Sequence, residues 1–471
     1  MILRPERWNA SGSLVPVVAT SLLLWSTLYS ISKPNARRRV TIPLAAAFTV
    51  IAALNARNFS SNDIVNSIFA RFIIIYFSHS LFILGFVSSP ELEDERKRWL
   101  IARSMRPGGA HGPAIDDQQI SDNASGSSNY VFSYKVLLNP LCFGTKWEVP
   151  LRAVRGGGGD SLATRFAHKS RSITPASDLK QPSFPSEIRG KTLQKPKSRI
   201  MFILRRLFTL FCRYLALCIY FDQDLFFWMP RGIPENRDDY ILGGDNFFLK
   251  SLPCLLVGRC SNDAHAHTQA VRATLLRLHW VLVQIVPDYC TLSSYHDILA
   301  IIGVATRVDD PSEWPPMYGS IAEAYTVRRF WSSFWHLLIY RSFSTFSKSI
   351  LAILGISGRH PISRYTHNIL VFLLSGIMHE IVPWLLTPDQ CMKCGCHHQI
   401  WRFVLQVFGM MVEGAVQFVW IKLERWLFGP GVEQVRLYVA MKRCLGYMWV
   451  LFWLIWVAEQ TYFPFTYCLA S

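Results

Sequence analysis

The stretch Ile369–Leu386, ILVFLLSGIMHEIVPWLL, decides the fold. It approaches the roughly 20 apolar residues that a helix needs to cross a bilayer, and a helix satisfies its own backbone polar groups there. Yet this apolar segment carries His379 and Glu380 side by side. An imidazole in a spanning segment is costly and marks a cavity, a partner or a substrate. Ser375 and Gly376 lie one helical turn earlier on the same face, and so small a surface leaves room for a bound molecule. The competing reading is structural: a buried histidine hydrogen-bonded to a neighbouring helix.

Similar apolar runs occur at Leu14–Ser32, Val40–Leu54, Ile64–Val87, Met201–Phe221, Ser333–Gly355, Ile400–Ile421 and Cys444–Phe463. Leu275–Ala305 is interrupted by Pro287-Asp288 and reads as one broken helix or two short ones. Together they predict an all-α, polytopic integral membrane protein of about eight to ten spans. Composition agrees: of 471 residues 51% are hydrophobic, 14% aromatic and 17% charged, where soluble proteins carry about a quarter charged. No heptad or solenoid repeat is visible.

The net charge is +17. The basic residues sit between apolar runs, so their expected partner is a membrane surface or an anionic soluble substrate, not nucleic acid. Lys33, Arg37, Arg38 and Arg39 place the loop after the first run in the cytosol, and the N-terminus in the lumen. That first run reads as a signal anchor, because a second apolar run follows closely. Residues 1–87 are then N-terminal transmembrane helices, 88–199 a cytosolic, partly disordered loop rich in Ser, Pro and Gly, and 200–471 the membrane core. The glycines at 156–159 lack a phosphate-loop pattern and read as linker. N-x-S sequons at Asn9, Asn58 and Asn123 make a glycoprotein the expectation; Asn123 falls in the cytosolic loop, where it would stay unmodified.

A second chemical cluster is YTVRRFWSSFWH, Tyr325–His336, continuing to Tyr340-Arg341. On one continuous helix Arg329, Ser332, His336 and Tyr340 share a face, giving a polar stripe suited to a reaction chamber. The alternative is interfacial anchoring by Trp331 and Trp335 with snorkelling arginines, which leaves His336 unexplained. His336 and His379 then suggest a general base and a group that positions the acceptor or the developing oxyanion. A base with no enzyme nucleophile fits direct acyl transfer from a thioester to an alcohol. Arg328, Arg329 and Arg341 would bind donor phosphates. Cys391, Cys394, Cys396, His397 and His398 have ligand chemistry for zinc, but they crowd one loop; a plain loop or a local lumenal disulfide is preferred, and no metal is expected. Arg213 lies deep in an apolar run and needs a partner, for which Glu413 and Glu459 are candidates.

The stretch EWPPMYGSIAEAYTVRRFWSSFWH, followed by SGIMHE, resembles the wax-synthase-like branch of the membrane-bound O-acyltransferase (MBOAT) superfamily. LLNPLCFGTKWEV resembles that branch's motif around N-P-R-x-I-G-T-x-W, with Leu141-Cys142-Phe143-Gly144 in place of the arginine-containing turn. Within the branch it is most similar to fungal acetyltransferases that decorate terpenoids and meroterpenoids. The resemblance implies an MBOAT-like fold whose acyltransferase core is 200–471, with His379 and His336 as the catalytic pair. Acyl-CoA, here acetyl-CoA, is the implied co-substrate, with no bound cofactor. The implied acceptor is a lipophilic alcohol, and the implied location the endoplasmic reticulum membrane. Arg329, Trp331, Trp335, Arg341, Ser375 and Gly376 are the candidate substrate and acyl-CoA contacts. Two other readings stay open. One is a wax-ester synthase joining a long acyl chain to a fatty alcohol; the other is a transporter using His379, Glu380 and Arg213 as a relay, although the inverted repeats common in transporters are not visible.

Overall fold

A computed structural model describes residues 10–33, 38–104, 126–139, 141–142, 145–147, 198–221, 240, 251–257, 266–356, 361–429 and 436–469. Asn9, Asn123, the glycine run and most of 88–199 lie outside the described residues. Within them every regular element is a helix. In chain order the principal helices are α1 (Ala10–Ser32), α2 (Arg38–Leu54), α3 (Asp63–Phe86), α4 (Ser89–Ser104), α5 (Gly126–Leu138) and α6 (Arg199–Phe221). There follow α7 (Ser251–Val257), α8 (Ala266–Ala305), α9 (Tyr340–Ile353), α10 (Pro361–Leu386), α11 (Pro388–Cys394), α12 (His398–Phe428) and α13 (Arg436–Leu469).

Among the described residues five helices are long and apolar enough to cross a membrane: Gly12–Ser32, Asp63–Phe86, Ile362–Leu386, His398–Leu427 and Leu437–Leu469. The protein is thus an all-helical, multi-pass membrane protein. The other expected spans differ for identifiable reasons. The helix over Val40–Leu54 has 17 residues. The helix over Met201–Phe221 carries Arg205, Arg206 and Arg213. The run Leu275–Ala305 lies within one continuous 40-residue helix, α8, with Pro287 inside it. A proline removes one backbone donor, but α8 packs on α6, α7 and α13 along its length, and that packing holds both halves in one element.

The remaining expected span, Ser333–Gly355, is not one helix. A short α-turn, Val327–Arg329, leads into a π-helical turn, Phe330–Phe334. Trp335 is then extended (φ −69°, ψ 154°) and its N–H bonds back to Phe330 at 2.7 Å. Regular helix resumes only at Tyr340. Aromatic packing imposes the break: Trp335 stacks on Phe330 and meets Tyr318 edge-on, while the Phe334 carbonyl accepts the Gly319 N–H. The polar stripe Arg329–Ser332–His336–Tyr340 therefore does not form. Single π turns inside helices mark functional sites more often than chance.

α3 runs through the centre, packed on α2, α9 and α10. Its Asn62 cap accepts the N–H groups of Ile64 and Val65 at 2.8 and 3.3 Å, satisfying donors that a helix start leaves orphaned. Its buried Phe69, Ile73, Phe82 and Ile83 join Leu23 of α1 and Phe132, Val136 and Leu137 of α5 in one core. Trp25, Phe208, Val416, Trp426 and Leu437 are exposed on other helices, as lipid-facing side chains are. Several charges buried among the helices find partners among the described residues. Arg206 and Arg213 converge on Asp297, the latter at 2.5 Å. Arg277 holds Glu459 with bonds of 3.1 and 3.3 Å. Glu413 accepts the Val327 N–H at 2.6 Å. The partner of Arg213 is thus Asp297, and neither Glu413 nor Glu459.

Candidate active site

The site follows from how closely α10 meets α12. A Cβ on Gly376 would lie 2.8 Å from the Cα of Ile400, a distance that real side chains do not tolerate. Gly376 and the buried Ser375 are therefore the contact at which α12 approaches, and neither lines the cavity. The small surface that reads as ligand space is filled by a neighbouring backbone. The carboxylate of Glu380 sits against the backbone N–H groups of Gln399 and Ile400, in the first turn of α12. A carboxylate is favoured at a helix N-terminus, where unpaired N–H groups and the helix dipole concentrate positive potential. The contact gives Glu380 a structural role, although its Oε2 is buried with no hydrogen-bond partner among the described residues.

With α12 held so close, the ring of His379 stacks on Phe403, 4.6 Å between centroids and 21° between planes. Its other side opens on a cavity of about 520 Å³, within the usual range for a small-molecule site. The walls are largely apolar, from Ile68, Phe72, Ile75, Leu292 and Val382. A polar group is gathered on one side. Arg71 of α3 is ion-paired with Asp288 of α8. Arg402 of α12 donates to Gln284 and to Tyr462 of α13, and to Gln399 at 3.3 Å. The Tyr462 hydroxyl donates to the same two glutamines, at 2.8 and 3.0 Å. The cavity thus has a lipophilic body and a few fixed polar groups beside the imidazole.

His336 approaches from the break after the π turn. Its ring meets Tyr318 edge-on at 5.6 Å and 88°, and its Nδ1 is buried with no hydrogen-bond partner among the described residues. Leu338, two positions on, lines the cavity. His336 lies within electrostatic reach of both His379 and Asp288. The two histidines, well separated in sequence, are thus brought within electrostatic reach of each other. The break itself is what turns His336 inward, and Glu413 caps the turn from α12.

The remaining candidates lie elsewhere. Arg329 is ion-paired with Glu323, donates to its carbonyl at 3.2 Å and covers Tyr325. Arg341 donates to the Trp147 carbonyl at 2.8 Å, tying the LLNPLCFGTKWEV region to α9. Trp331 donates to Gln406 at 3.1 Å and packs on Phe403 behind His379. Trp335 shapes the turn. Both tryptophans stand behind the histidines and neither lines the main cavity. In the loop after α10, Cys391 pairs with Cys396, and Cys394 with Cys468 of α13, so these thiols are engaged in disulfides. Sequence reading missed Arg71, Asp288, Arg402 and the two glutamines. Asp288, Arg71 and Arg402 were each visible as charges inside apolar runs, the signal that singled out Arg213; the two glutamines gave no local signal.

Fold and site together define an all-helical membrane protein in which His379 lines a lipophilic cavity and His336 lies within electrostatic reach of it. Residues 314–406, which carry both histidines, match the Membrane bound O-acyl transferase family, and the resemblance read from the sequence holds over that segment. Among known proteins, the chain is 27% identical to Acetyltransferase atnC of Arthrinium sp over 57% of this chain and 54% of that protein. It is 29% identical to Acetyltransferase nanB of Aspergillus nanangensis over 57% of each, and 28% identical to Acetyltransferase aurG of Calcarisporium arbuscula over 41% of this chain and 43% of that protein. The chain spans about half the length of the first two relatives. No solved structure matches it.

Proposed function

We propose that the protein is a membrane O-acetyltransferase that moves an acetyl group from acetyl-CoA to a hydroxyl of a lipophilic secondary metabolite. The observation that carries this reading is His379 lining an apolar cavity with His336 within electrostatic reach of it, both in the family-matched segment. The acceptor hydroxyl lies in that cavity and loses its proton to His379 as its oxygen attacks the thioester carbonyl. His336 holds the acceptor or the oxyanion. No acyl-enzyme forms, and the ternary complex reacts directly. The names of the relatives favour acetyl over long acyl chains.

The reading extends to the endoplasmic reticulum membrane. The cavity reaches Arg57 and Asp63 at the start of α3, and Thr387, Gln399 and Arg402 beside the disulfide loop. With the short α2 counted as a crossing, as the sequence expects, a cytosolic loop at Lys33–Arg39 puts the start of α3 in the lumen. Disulfides persist in that oxidising compartment. We take this end of the cavity as lumenal and infer that the lipophilic acceptor enters from it.

The test uses microsomes containing the full chain, labelled acetyl-CoA or palmitoyl-CoA, and a lipid extract of the producing cells. Acetyl transfer is expected, with His379→Ala lowering it roughly 10²–10⁴-fold while the protein still elutes as a folded species. Product at the wild-type rate from that variant removes the mechanism. A preference for palmitoyl-CoA moves the assignment to wax-ester synthesis, and solute uptake without CoA release to a transporter.

A further inference from the structure

The cavity contains one carboxylate close to the histidines, and the mechanism above gives it no task. Asp288 follows Pro287 in the middle of α8 and lines the cavity with His379. Its Oδ1 is held by the Arg71 guanidinium from α3. Its backbone carbonyl accepts the Tyr318 hydroxyl at 3.3 Å, and Tyr318 is the ring packed edge-on against His336. Asp288 is therefore fixed in place through both its side chain and its main chain. The charged or titratable groups within electrostatic reach of His379 are Arg402 from α12, Arg71 from α3, Asp288 from α8 and His336. Of these only Asp288 is an anion; the other carboxylate nearby, Glu380 on α10 itself, is turned to the first turn of α12. Without Asp288, an imidazolium at position 379 would form beside two guanidiniums in a water-poor site, where like charges repel strongly.

Building on the acyl-transfer reading, we propose that Asp288 is a positioning residue that stabilises the imidazolium formed on His379 during the reaction. In that reaction the acceptor oxygen bonds to the thioester carbonyl carbon and its proton passes to His379. The C–S bond then breaks as the tetrahedral intermediate collapses, and the departing CoA thiolate takes the proton from His379. Positive charge exists on His379 only between these two transfers. A fixed negative charge nearby therefore favours the transition state over the ground state, which is the condition for raising kcat. Arg71 moderates the effect, because it shares the same carboxylate.

Labelling by diethyl pyrocarbonate tests this without an acceptor. The reagent acylates only neutral imidazole, so the pH dependence of His379 labelling, read by mass spectrometry on the full chain in detergent, reports its proton affinity. Asp288→Asn removes the anion and keeps the shape; the labelling midpoint is expected to fall by about one pH unit. Arg71→Gln removes a cation and leaves the carboxylate; the midpoint is expected to rise. A merely structural role moves neither. Equal midpoints, or shifts of the same sign in both variants, overturn the proposal. If Asp288→Asn does not fold, Asp288→Ser takes its place: it also removes the anion, its midpoint is expected to fall, and an unchanged or raised midpoint overturns the proposal. In acetyl transfer, Asp288→Asn should lose about ten-fold in kcat with the KM for acetyl-CoA little changed. An unaltered kcat with a raised KM would instead make Asp288 a binding residue and overturn the proposal. Absence of any transfer by the wild type counts against the acyltransferase reading; the labelling midpoints still decide the coupling between Asp288 and His379.

Discussion

His379 and its neighbours on α10 divide their tasks by helix face. His379 meets the cavity and Phe403. Glu380 anchors the first turn of α12. Gly376 admits the Ile400 backbone. The small residue is thus needed for helix–helix contact, and any added side chain pushes α12 away. Gly376→Ala is expected to destabilise the protein by about 1–3 kcal/mol, measured as a lower Tm in detergent. The same variant should lose transfer activity, because the α12 surface behind His379 moves with Ile400. An unchanged Tm would show that the two helices have slack at this point.

At the scale of elements, the turn Val327–Phe334 is the least regular part of the core and the part that delivers His336. Its first N–H is accepted by the Glu413 carboxylate, and the Thr326 hydroxyl accepts the Arg329 N–H at 3.0 Å. A carboxylate capping a helix start contributes about 0.5–2 kcal/mol. Glu413→Ala is expected to cost that much in thermal stability and to lower acetyl transfer more than a uniform loss of folded protein explains. Activity that falls only in proportion to folded protein would mean that aromatic packing alone holds the turn. The sequence offers Glu413 as a buried carboxylate in an apolar run, which shows that it needs a partner. It does not show that the partner is a backbone N–H 86 positions away.

For the molecule as a whole, the two disulfides at Cys391–Cys396 and Cys394–Cys468 tie the α10–α12 connection to α13. They stand at the cavity end that also holds Arg57, Asp63 and Arg402. If that end is lumenal, a membrane-impermeant phosphine added to sealed microsomes should leave Cys394 and Cys468 oxidised. The same reagent after detergent permeabilisation should reduce them, read by mass spectrometry after alkylation. Reduction in sealed vesicles would place this end in the cytosol and reverse the route by which the acceptor enters.

The all-helical membrane architecture was legible from the apolar runs alone, because a spanning segment announces itself by length and composition. His379 was legible for the same reason: a titratable group in such a run has no cheap solvated alternative. His336 was legible as a residue type out of place, but its geometry was not, since the break at Trp335 is imposed by Tyr318 and Phe330, ring contacts that local spacing does not encode. The role of Gly376 was misread because an absent side chain looks the same whether it faces a ligand or a helix. Arg71, Asp288 and Arg402 lie on three helices that only folding brings together. Sequence periodicity records which face of a helix is apolar; it does not record which other helix meets that face. The charge environment of His379 was therefore decided by tertiary structure alone.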